Sequence, residues 1–191
     1  LDGELEEESE FLGALIRYMG LSMLVIYALM AIPFRSYFQP LLVLTAVPFG
    51  IMGAIFGHLI LDWQISMMSF LGVIAAAGVV VNDNLVLIDR INQLRAAGHA
   101  LLEALLQGAE DRFRPIILTS LTTFIGLLPI MSETSMQAQF LIPMVTSLAF
   151  GVLFATGVTL LLVPSLYLLG EQLSARVLHR RQALTDAIES I

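Results

Sequence analysis

Three consecutive polar residues, Asn82, Asp83 and Asn84, interrupt an otherwise apolar segment that covers residues 65–88. A segment of this length and composition is typical of a helix that crosses a membrane. A carboxyl group in the middle of such a helix costs about 2.5–3.5 kcal/mol on insertion scales, so it usually indicates a functional site. A lone carboxyl there is expected to be protonated at pH 7 unless a cation pairs with it. Asp83 is therefore a candidate proton carrier; the alternative is that it only hydrogen-bonds a facing helix.

The helix faces that carry Asp83 and Asn82 both contain small side chains in the preceding turns. Small residues on such a face allow another helix to approach closely, so both polar groups are expected to emerge next to a close neighbour. The residues that share a face with Asp83 are Gly72, Ala76 and Val80, and those that share one with Asn82 are Ala75 and Gly78.

A second polar face is predicted near residue 120, where hydroxyl side chains recur at helical spacing. It consists of Thr119, Thr122 or Thr123, and Gly126, with Ser120 beside them. Hydroxyls in a membrane helix can relay protons or hold water, but they can equally bond to their own i−4 carbonyls. Thr119 is the strongest relay candidate of this group.

The chain as a whole has the composition of a membrane protein. Of its 191 residues, 58% are hydrophobic and 13% are charged, and the mean hydropathy is +0.87, which leaves too little polar surface for a soluble globule of this size. Only helices satisfy their own backbone in lipid without closing into a barrel, so we predict an all-α bundle with five spans. The predicted spans are about 15–34, 38–61, 65–88, 113–131 and 140–169, with kinks expected near Pro48 and Pro164.

The arginines predict the orientation, because positive loops face the cytoplasm. All nine basic residues are arginine, and eight of them fall in the first turn, the third-to-fourth connection or the tail, all on one side of the predicted topology. Arg17, at the other end of the first span, is the exception. The N-terminus of this segment is therefore predicted to be periplasmic and the C-terminus cytoplasmic.

The regions outside the spans have distinct characters. Residues 1–13 form an acidic arm, since six of the sixteen acidic residues lie within the first ten positions. Residues 98–110 carry leucines at amphipathic spacing, which predicts a helix lying along the cytoplasmic interface. Residues 171–191 are predicted to be a cytoplasmic tail. The bundle itself therefore covers residues 14–170.

Several classes of function lack the residues that they require. There is no cysteine, and the three histidines, His58, His99 and His179, lie far apart with no partner at metal-ligand spacing. No phosphate-binding loop or dinucleotide motif occurs, and no basic stripe suggests nucleic acid. We expect a protein that is not an enzyme, has no cofactor or metal, and has membrane lipid as its surroundings.

Four sequence elements resemble the C-terminal membrane half of resistance-nodulation-division (RND) efflux permeases. They occur in the order and spacing of that family across about residues 10–170. The elements are PFRSYFQP from Pro33 to Pro40, VPFG from Val47 to Gly50, GVVVNDN from Gly78 to Asn84, and RFRPIILTSL from Arg112 to Leu121.

This resemblance implies that the five spans correspond to helices eight to twelve of a twelve-helix membrane domain. Such permeases are proton antiporters of the bacterial inner membrane that export drugs, amphiphiles or metal ions. The resemblance also implies a homotrimer that works with a periplasmic adaptor and an outer-membrane channel. The present chain would supply half of the proton path, and the remaining half of the same permease would be its nearest partner.

One departure from the multidrug (AcrB-like) branch affects the proton path. In that branch a lysine on the tenth helix pairs with two aspartates on the fourth, and the aligned position here is Asn82; the chain contains no lysine. Asp83 follows at once and could titrate in its place. Arg112 and Thr119 align with an arginine and a relay threonine of the family. The missing lysine keeps an alternative open, a lipid-handling, sterol-sensing or protein-translocation accessory protein with the same bundle.

Overall fold

The computed structural model describes the backbone of residues 2–189 and the side chains of residues 9–173. Within this part of the chain the secondary structure is entirely helical, as predicted. The helices are α1 (Asp2–Phe34), α2 (Phe38–Leu44), α3 (Val47–Leu61), α4 (Met67–Ala96), α5 (Leu101–Met131) and α6 (Met136–Glu189).

Five stretches of these helices are long and apolar enough to cross a membrane, which confirms the prediction of five spans. Most of them extend beyond the predicted limits, because polar residues continue each helix past its apolar part. The stretches are Ser9–Phe34, Phe38–Leu61, Met67–Ala96, Leu101–Met131 and Met136–Leu173.

The second span is broken in the way that its proline predicts. Helix α2 ends at Leu44 and α3 begins at Val47. Pro48 has no N–H to donate to the carbonyl of Leu44 four residues earlier, so a continuous helix would lose that bond. The hydroxyl of Thr45 in the break donates to the carbonyl of Leu42 at 2.6 Å. At Pro164, by contrast, α6 continues without interruption.

The fourth span and the predicted interfacial helix at 98–110 form a single helix, α5, which runs from Leu101 to Met131. Gly108, near the end of that predicted helix, does not end it. A Cβ on Gly108 would lie 2.7 Å from Cγ1 of Ile91, so this glycine allows α5 to approach α4 closely. The helix starts after Gly98, whose φ of +96° suits glycine.

Helix α6 is the centre of the bundle and packs against α2, α3, α4 and α5. Close approach depends on small residues, as the sequence predicts: a Cβ on Gly57 would lie 2.6 Å from Cβ of Phe150, and Gly151 packs against Ala76. Two buried clusters result, one around Ile88 and Val163 and a smaller one around Ala155.

Helix α1 is the least packed element. Of its described side chains, residues 9–34, only Met30 is fully buried, whereas Ile16, Leu24 and Ile32 are more than half exposed. The side chains of the acidic arm up to residue 8 lie outside the described residues. The same holds for the tail arginines Arg176, Arg180 and Arg181, although the backbone of α6 continues through them.

The turns between the helices lie at two ends of the bundle. The Trp63 end contains the α3–α4 and α5–α6 turns. The Gly98 end contains the α1–α2 and α4–α5 turns. Asp62 closes α3 at the Trp63 end in a left-handed conformation with a φ of 54°.

Candidate functional site

The polar tripeptide lies at the middle of α4, as the apolar segment around it predicts. Asp83 is 16 residues beyond Met67, the first residue of the helix, which corresponds to about 24 Å along the axis. Each residue of a helix is turned by about 100° from the one before it, so the three side chains leave α4 in different directions.

The burial of the three side chains follows from this rotation. Asn84 is 2% exposed and continues the buried stripe of Gly72, Ala76 and Val80, which faces α6. Asp83 is half-buried at the edge of that stripe, and Asn82 is exposed. Of the three polar side chains, Asp83 and Asn84 therefore lie nearest the packed side of α4.

Both of these groups contain an atom with no partner. The Oδ2 atom of Asp83 and the Nδ2 atom of Asn84 are buried, and neither has a hydrogen-bond partner among the described residues. No described basic side chain forms an ion pair with Asp83. A buried polar atom without a partner is costly, so this arrangement is better explained by a functional role than by stability.

The face that carries Asn82 differs from the expectation. The sequence predicted a close neighbour over Ala75 and Gly78, but both are exposed here, and a Cβ on Gly78 would meet nothing within 4 Å. The face that is packed is the Gly72 stripe, where a Cβ on Gly72 would overlap the carbonyl oxygen of Met144. Within this chain, the Asn82 face has no covering helix.

The two family-aligned residues of α5 lie on either side of Asp83 along the bundle axis. Gly108 packs beside Ile91, and the two helices are antiparallel, so counting from this contact places Arg112 about 6 Å below and Thr119 about 5 Å above the level of Asp83. The Nε atom of Arg112 is buried without a partner among the described residues. Arg112 and Thr119 therefore each lie about one helical turn from Asp83 along the axis, and among the described residues no hydrogen bond or ion pair joins either of them to Asp83.

The hydroxyls of α5 divide into two groups. Thr119 is exposed and donates to the carbonyl of Pro115 at 2.9 Å. Thr122, also exposed, donates to the carbonyl of Leu118 at 2.8 Å. These are the local bonds that the sequence analysis left open as the alternative to a relay. Thr123 is half-buried.

Ser120 faces the other way, into the bundle. Its hydroxyl lies 2.7 Å from that of Thr156 on α6, and both side chains are buried, at 1% and 2% exposure. The predicted single polar face is thus two faces, because Ser120 is turned away from Thr119 by one helical step. Thr156 was not identified from the sequence, since a lone threonine in an apolar span has no distinguishing pattern.

Two further polar clusters were missed. At the Gly98 end, the side-chain amides of Gln39 and Asn92 bond to each other, and both bond to the hydroxyl of Tyr167, at 2.8–3.1 Å. At the Trp63 end, His58 is 3% exposed, with Nδ1 2.9 Å from the carbonyl of Ala54. Nε2 of His58 lies 2.8 Å from the hydroxyl of Ser69. A histidine and a serine on either side of a short helix–helix turn could have suggested this contact.

The charged residues of the α4–α5 corner are paired near the surface. Arg90 forms an ion pair with Asp111 at 2.6 Å, each about one-third exposed, and Asp89 accepts a bond from Gln93 at 2.7 Å. Asp89 is exposed. These contacts favour a surface role for Asp89 and Arg90 over a part in a buried relay.

No group of three or more histidine, cysteine or acidic side chains that could hold a metal ion occurs within the described part of the chain. The site around Asp83 is instead a protonatable group with unpartnered amide and guanidinium atoms nearby. A carboxyl group in such surroundings can take up and release a proton when the surroundings change.

Comparison with known proteins relates the chain to one family. The sequence profile of the AcrB/AcrD/AcrF family matches residues 2–171. The chain is 32% identical over 165 residues to the cobalt-zinc-cadmium resistance protein CzcA of Cupriavidus metallidurans, and equally to the cation efflux system protein CzcA of an Alcaligenes species. In both cases the match covers 86% of this chain and 16% of the relative.

Solved structures give the same relationship. Two crystal forms of a heavy metal efflux pump superpose with TM-scores of 0.75 and 0.77 at 27% identity. They cover 88% and 87% of this chain but only 16% and 17% of the pump. The chain therefore spans about one-sixth of the length of the proteins that it resembles.

Proposed function

The chain belongs to the AcrB/AcrD/AcrF family of RND permeases, and on this premise we propose that it is the second membrane half of a proton-driven export permease of the bacterial inner membrane. Its part in the permease is to supply half of the proton path. The observation that carries this proposal is the buried, unpartnered Oδ2 of Asp83 at the midpoint of α4. A carboxyl group in this position can bind a proton from one side and release it to the other when its surroundings change.

The Asn82 face is where the first membrane half would pack. This face is uncovered and carries small residues, Ala75 and Gly78, which allow a helix of the absent half to approach. Asp83 lies between this face and the packed side of α4, so it can contact both halves of the permease. A carboxylate or a cation contributed by the absent half would then respond to the protonation of Asp83.

Arg112 and Thr119 are proposed as further members of the path. The support for Arg112 is its buried Nε, which has no partner among the described residues, about 6 Å along the axis from the level of Asp83. Thr119 lies on the opposite side of that level, and its hydroxyl can exchange the local bond to Pro115 for a water or a carboxyl group. Asn82 would orient the partner from the absent half. Secondary polar groups, which lie on more than one face, are proposed at Asn84, Ser120, Thr122 and Thr123.

The exported substrate is proposed to be a heavy-metal cation rather than a drug. The support is the match to two CzcA proteins and to a heavy metal efflux pump. We further propose that the permease is a trimer that works with a periplasmic adaptor and an outer-membrane channel, and that the N-terminus of this segment is periplasmic. Cells that express the full-length permease should tolerate raised zinc, cobalt or cadmium; tolerance only to a cationic dye such as ethidium would instead favour drug export.

The role of Asp83 is tested by Asp83→Asn in the full-length permease reconstituted in vesicles. The amide retains the shape of the side chain but cannot carry a proton at any pH used, so export driven by an imposed pH gradient should fall to the background level. Asp89→Asn is the matched control, because Asp89 is on the same helix but is exposed and bonded to Gln93. Export by Asp83→Asn at the wild-type rate and pH dependence, with equal protein in the vesicles, would refute the proposal.

A second candidate, a lipid-handling, sterol-sensing or protein-translocation accessory protein, is favoured by the absence of lysine from the chain. The same vesicles distinguish the two functions. Full-length protein that dissipates no pH gradient when cation is added on either side supports the accessory role.

A further inference from the structure

Two adjoining pockets lie at the Gly98 end of the bundle, beside the turn between α1 and α2. The smaller one has a volume of about 80 Å³ and lies between α2 and α6. These helices approach closely there because Gly170 has no side chain, and a Cβ on it would overlap the ring of Phe38. The larger pocket has a volume of about 520 Å³ and lies along the last turns of α1. Ser36 lines both pockets, so one ligand can occupy the two together.

Both pockets lie where the apolar parts of the helices end. The first apolar span ends at Phe34 and the last at Leu173, so Arg35 and Glu171 are next to the ends of their spans. Tyrosine side chains of membrane proteins concentrate at this level, between the hydrocarbon and the headgroups. Three of the four tyrosines of the chain line these pockets, namely Tyr27, Tyr37 and Tyr167. The pockets are therefore at the depth of lipid headgroups.

The smaller pocket offers hydrogen-bond acceptors to a cation. Glu171, in its wall, is exposed, and no described basic side chain forms an ion pair with it. The hydroxyl of Tyr167 donates to Oδ1 of Asn92 at 2.9 Å and accepts from Nε2 of Gln39 at 3.1 Å, which leaves one lone pair free. Arg95 acts electrostatically on this hydroxyl but does not line the pocket. A carboxylate and a hydroxyl oxygen together suit a positively charged group with several N–H donors.

The size of the smaller pocket selects the kind of cation. Its volume suits a group no larger than a few water molecules. A primary ammonium is compact and has three N–H donors for the oxygens of the wall. A trimethylammonium is bulkier, has no N–H, and is recognised by cages of several aromatic rings, whereas Phe38 contributes the only phenyl ring to this wall. The pocket therefore favours a primary amine over a quaternary one.

The larger pocket combines a cation with an apolar wall. Arg35 lines it, is exposed, and has no side-chain hydrogen bond or ion pair among the described residues. Its φ of 49° is left-handed, a conformation that costs an arginine more than a glycine, which favours a role for the side chain. Ala28 and Ile32 form the wall along α1, and Ile32 is 74% exposed. The pocket thus offers a guanidinium group for a phosphate, next to a surface for acyl chains.

From these features we propose that the two pockets together bind the headgroup of a phosphatidylethanolamine molecule in the leaflet at the Gly98 end. The ammonium group enters the smaller pocket and donates to the carboxylate of Glu171 and the hydroxyl of Tyr167. The phosphate, a short carbon chain away, pairs with Arg35 in the larger pocket, and the acyl chains extend along α1. The lipid thereby links α1, the least packed helix, to α6. Binding requires no proton gradient, so its test is independent of the proposed export.

The test uses the full-length permease in phosphatidylcholine nanodiscs that contain a small, equal mole fraction of one of two photoreactive lipids. The probes are a phosphatidylethanolamine and a phosphatidylcholine with identical acyl chains, one of which carries a diazirine. The readout is labelling of peptides from residues 24–44. In wild type the ethanolamine probe should label this segment about three- to fivefold more than the choline probe, the effect of one exposed ion pair. Identical chains cancel general contact with lipid.

Two variants separate the two charges of the headgroup. Glu171→Gln should abolish the preference for the ethanolamine probe but leave labelling by the choline probe unchanged, because Arg35 still holds the phosphate. Arg35→Gln should lower labelling by both probes about three- to fivefold, because both carry a phosphate, and should retain the preference. Glu103→Gln and Arg95→Gln are the controls, since these exposed residues of the same end line neither pocket. Neither control should reduce labelling by either probe.

Three results would overturn the proposal. One is equal labelling by the two probes in wild type. Another is a preference that survives in Glu171→Gln, or that is lost equally in Glu103→Gln. The third is the absence of labelling in residues 24–44 with both probes, which would show that another part of the permease covers this turn.

Discussion

Replacing Gly53 by alanine tests the packing that holds the bundle together. Gly53 lies where α3 meets α6, and a Cβ added there would stand 2.6 Å from both the carbonyl oxygen of Phe150 and the Cβ of Phe154. Neither atom is the end of a flexible side chain, so neither can turn away. The helices themselves must separate to accommodate the methyl group.

The size of the effect follows from the distances. Ordinary contact begins at 3.4 Å, so α3 and α6 must part locally by about 0.8 Å, and a gap of this size loses about a quarter to a half of the dispersion energy of the contacts that it opens. Overpacking of this kind costs about 1–3 kcal/mol. The higher helix propensity of alanine returns up to about 1 kcal/mol. We therefore expect a net destabilisation of about 1–2 kcal/mol by Gly53→Ala.

Gly50→Ala is the matched control, one turn earlier on the same helix. Gly50 is buried, yet a Cβ there would meet nothing within 4 Å. The control should be neutral or slightly stabilising, since only the propensity term remains. Gly53→Ala should thus lower the stability and Gly50→Ala should not, although both convert a buried glycine of α3 into alanine.

The measurement is the thermal midpoint of the full-length permease in detergent, read as the fraction that remains monodisperse on size-exclusion chromatography after heating. Gly53→Ala should lower the midpoint and Gly50→Ala should not. Equal midpoints for the two variants would refute the reasoning, because they would show that the α3–α6 contact does not depend on the missing Cβ.

Two smaller effects are expected from polar pairs. In a double-mutant cycle with Ser120→Ala and Thr156→Val, the same assay should give a coupling of about 0.6 kcal/mol, which is typical of hydrogen bonds between membrane helices; additive effects would contradict a shared bond. Asp111→Asn, which removes the partly exposed partner of Arg90, should cost less than about 1 kcal/mol, and this cost should become smaller in 1 M salt, where the Debye length falls to about 3 Å. A cost that is undiminished in high salt would mean that the pair is effectively buried.

Much of the architecture could be predicted because the bilayer constrains it. Apolar length alone identified five spans, and Pro48 indicated the interruption of the second one, which occurs at Thr45 and Ala46. The single helix α5 was missed, because Gly108 has the same letter whether it ends a helix or lets one pack against Ile91. Only the partner, which is distant in sequence, decides between these roles.

The candidate site was predictable in position but not in contacts. A carboxyl in an apolar helix is visible in any sequence, so Asp83 was found at once. The bond between Ser120 and Thr156 spans 36 residues, and the cluster of Gln39, Asn92 and Tyr167 spans 128. Such pairs depend on the register between helices, and this register is set only when the apolar surfaces of the helices pack together. Periodicity along one helix contains no information about them.

Successive residues of α4 point in different directions, so the position of a charge in the tripeptide matters more than its presence. In the drug-exporting branch the lysine occupies the position of Asn82, which here is exposed on the face of α4 that this chain does not cover. Asp83 is turned by one step toward the packed side, where its Oδ2 is enclosed. A carboxyl at position 83 therefore differs from a lysine at position 82 in its neighbours as well as in its charge. On the proposed arrangement, a cation at 82 would point at the absent half, whereas a carboxyl at 83 would lie at the boundary between the halves and could be reached from both. For this reason Asn82→Lys should not restore export to Asp83→Asn: the new cation would stand on a different face from the lost carboxyl and could not take over its proton.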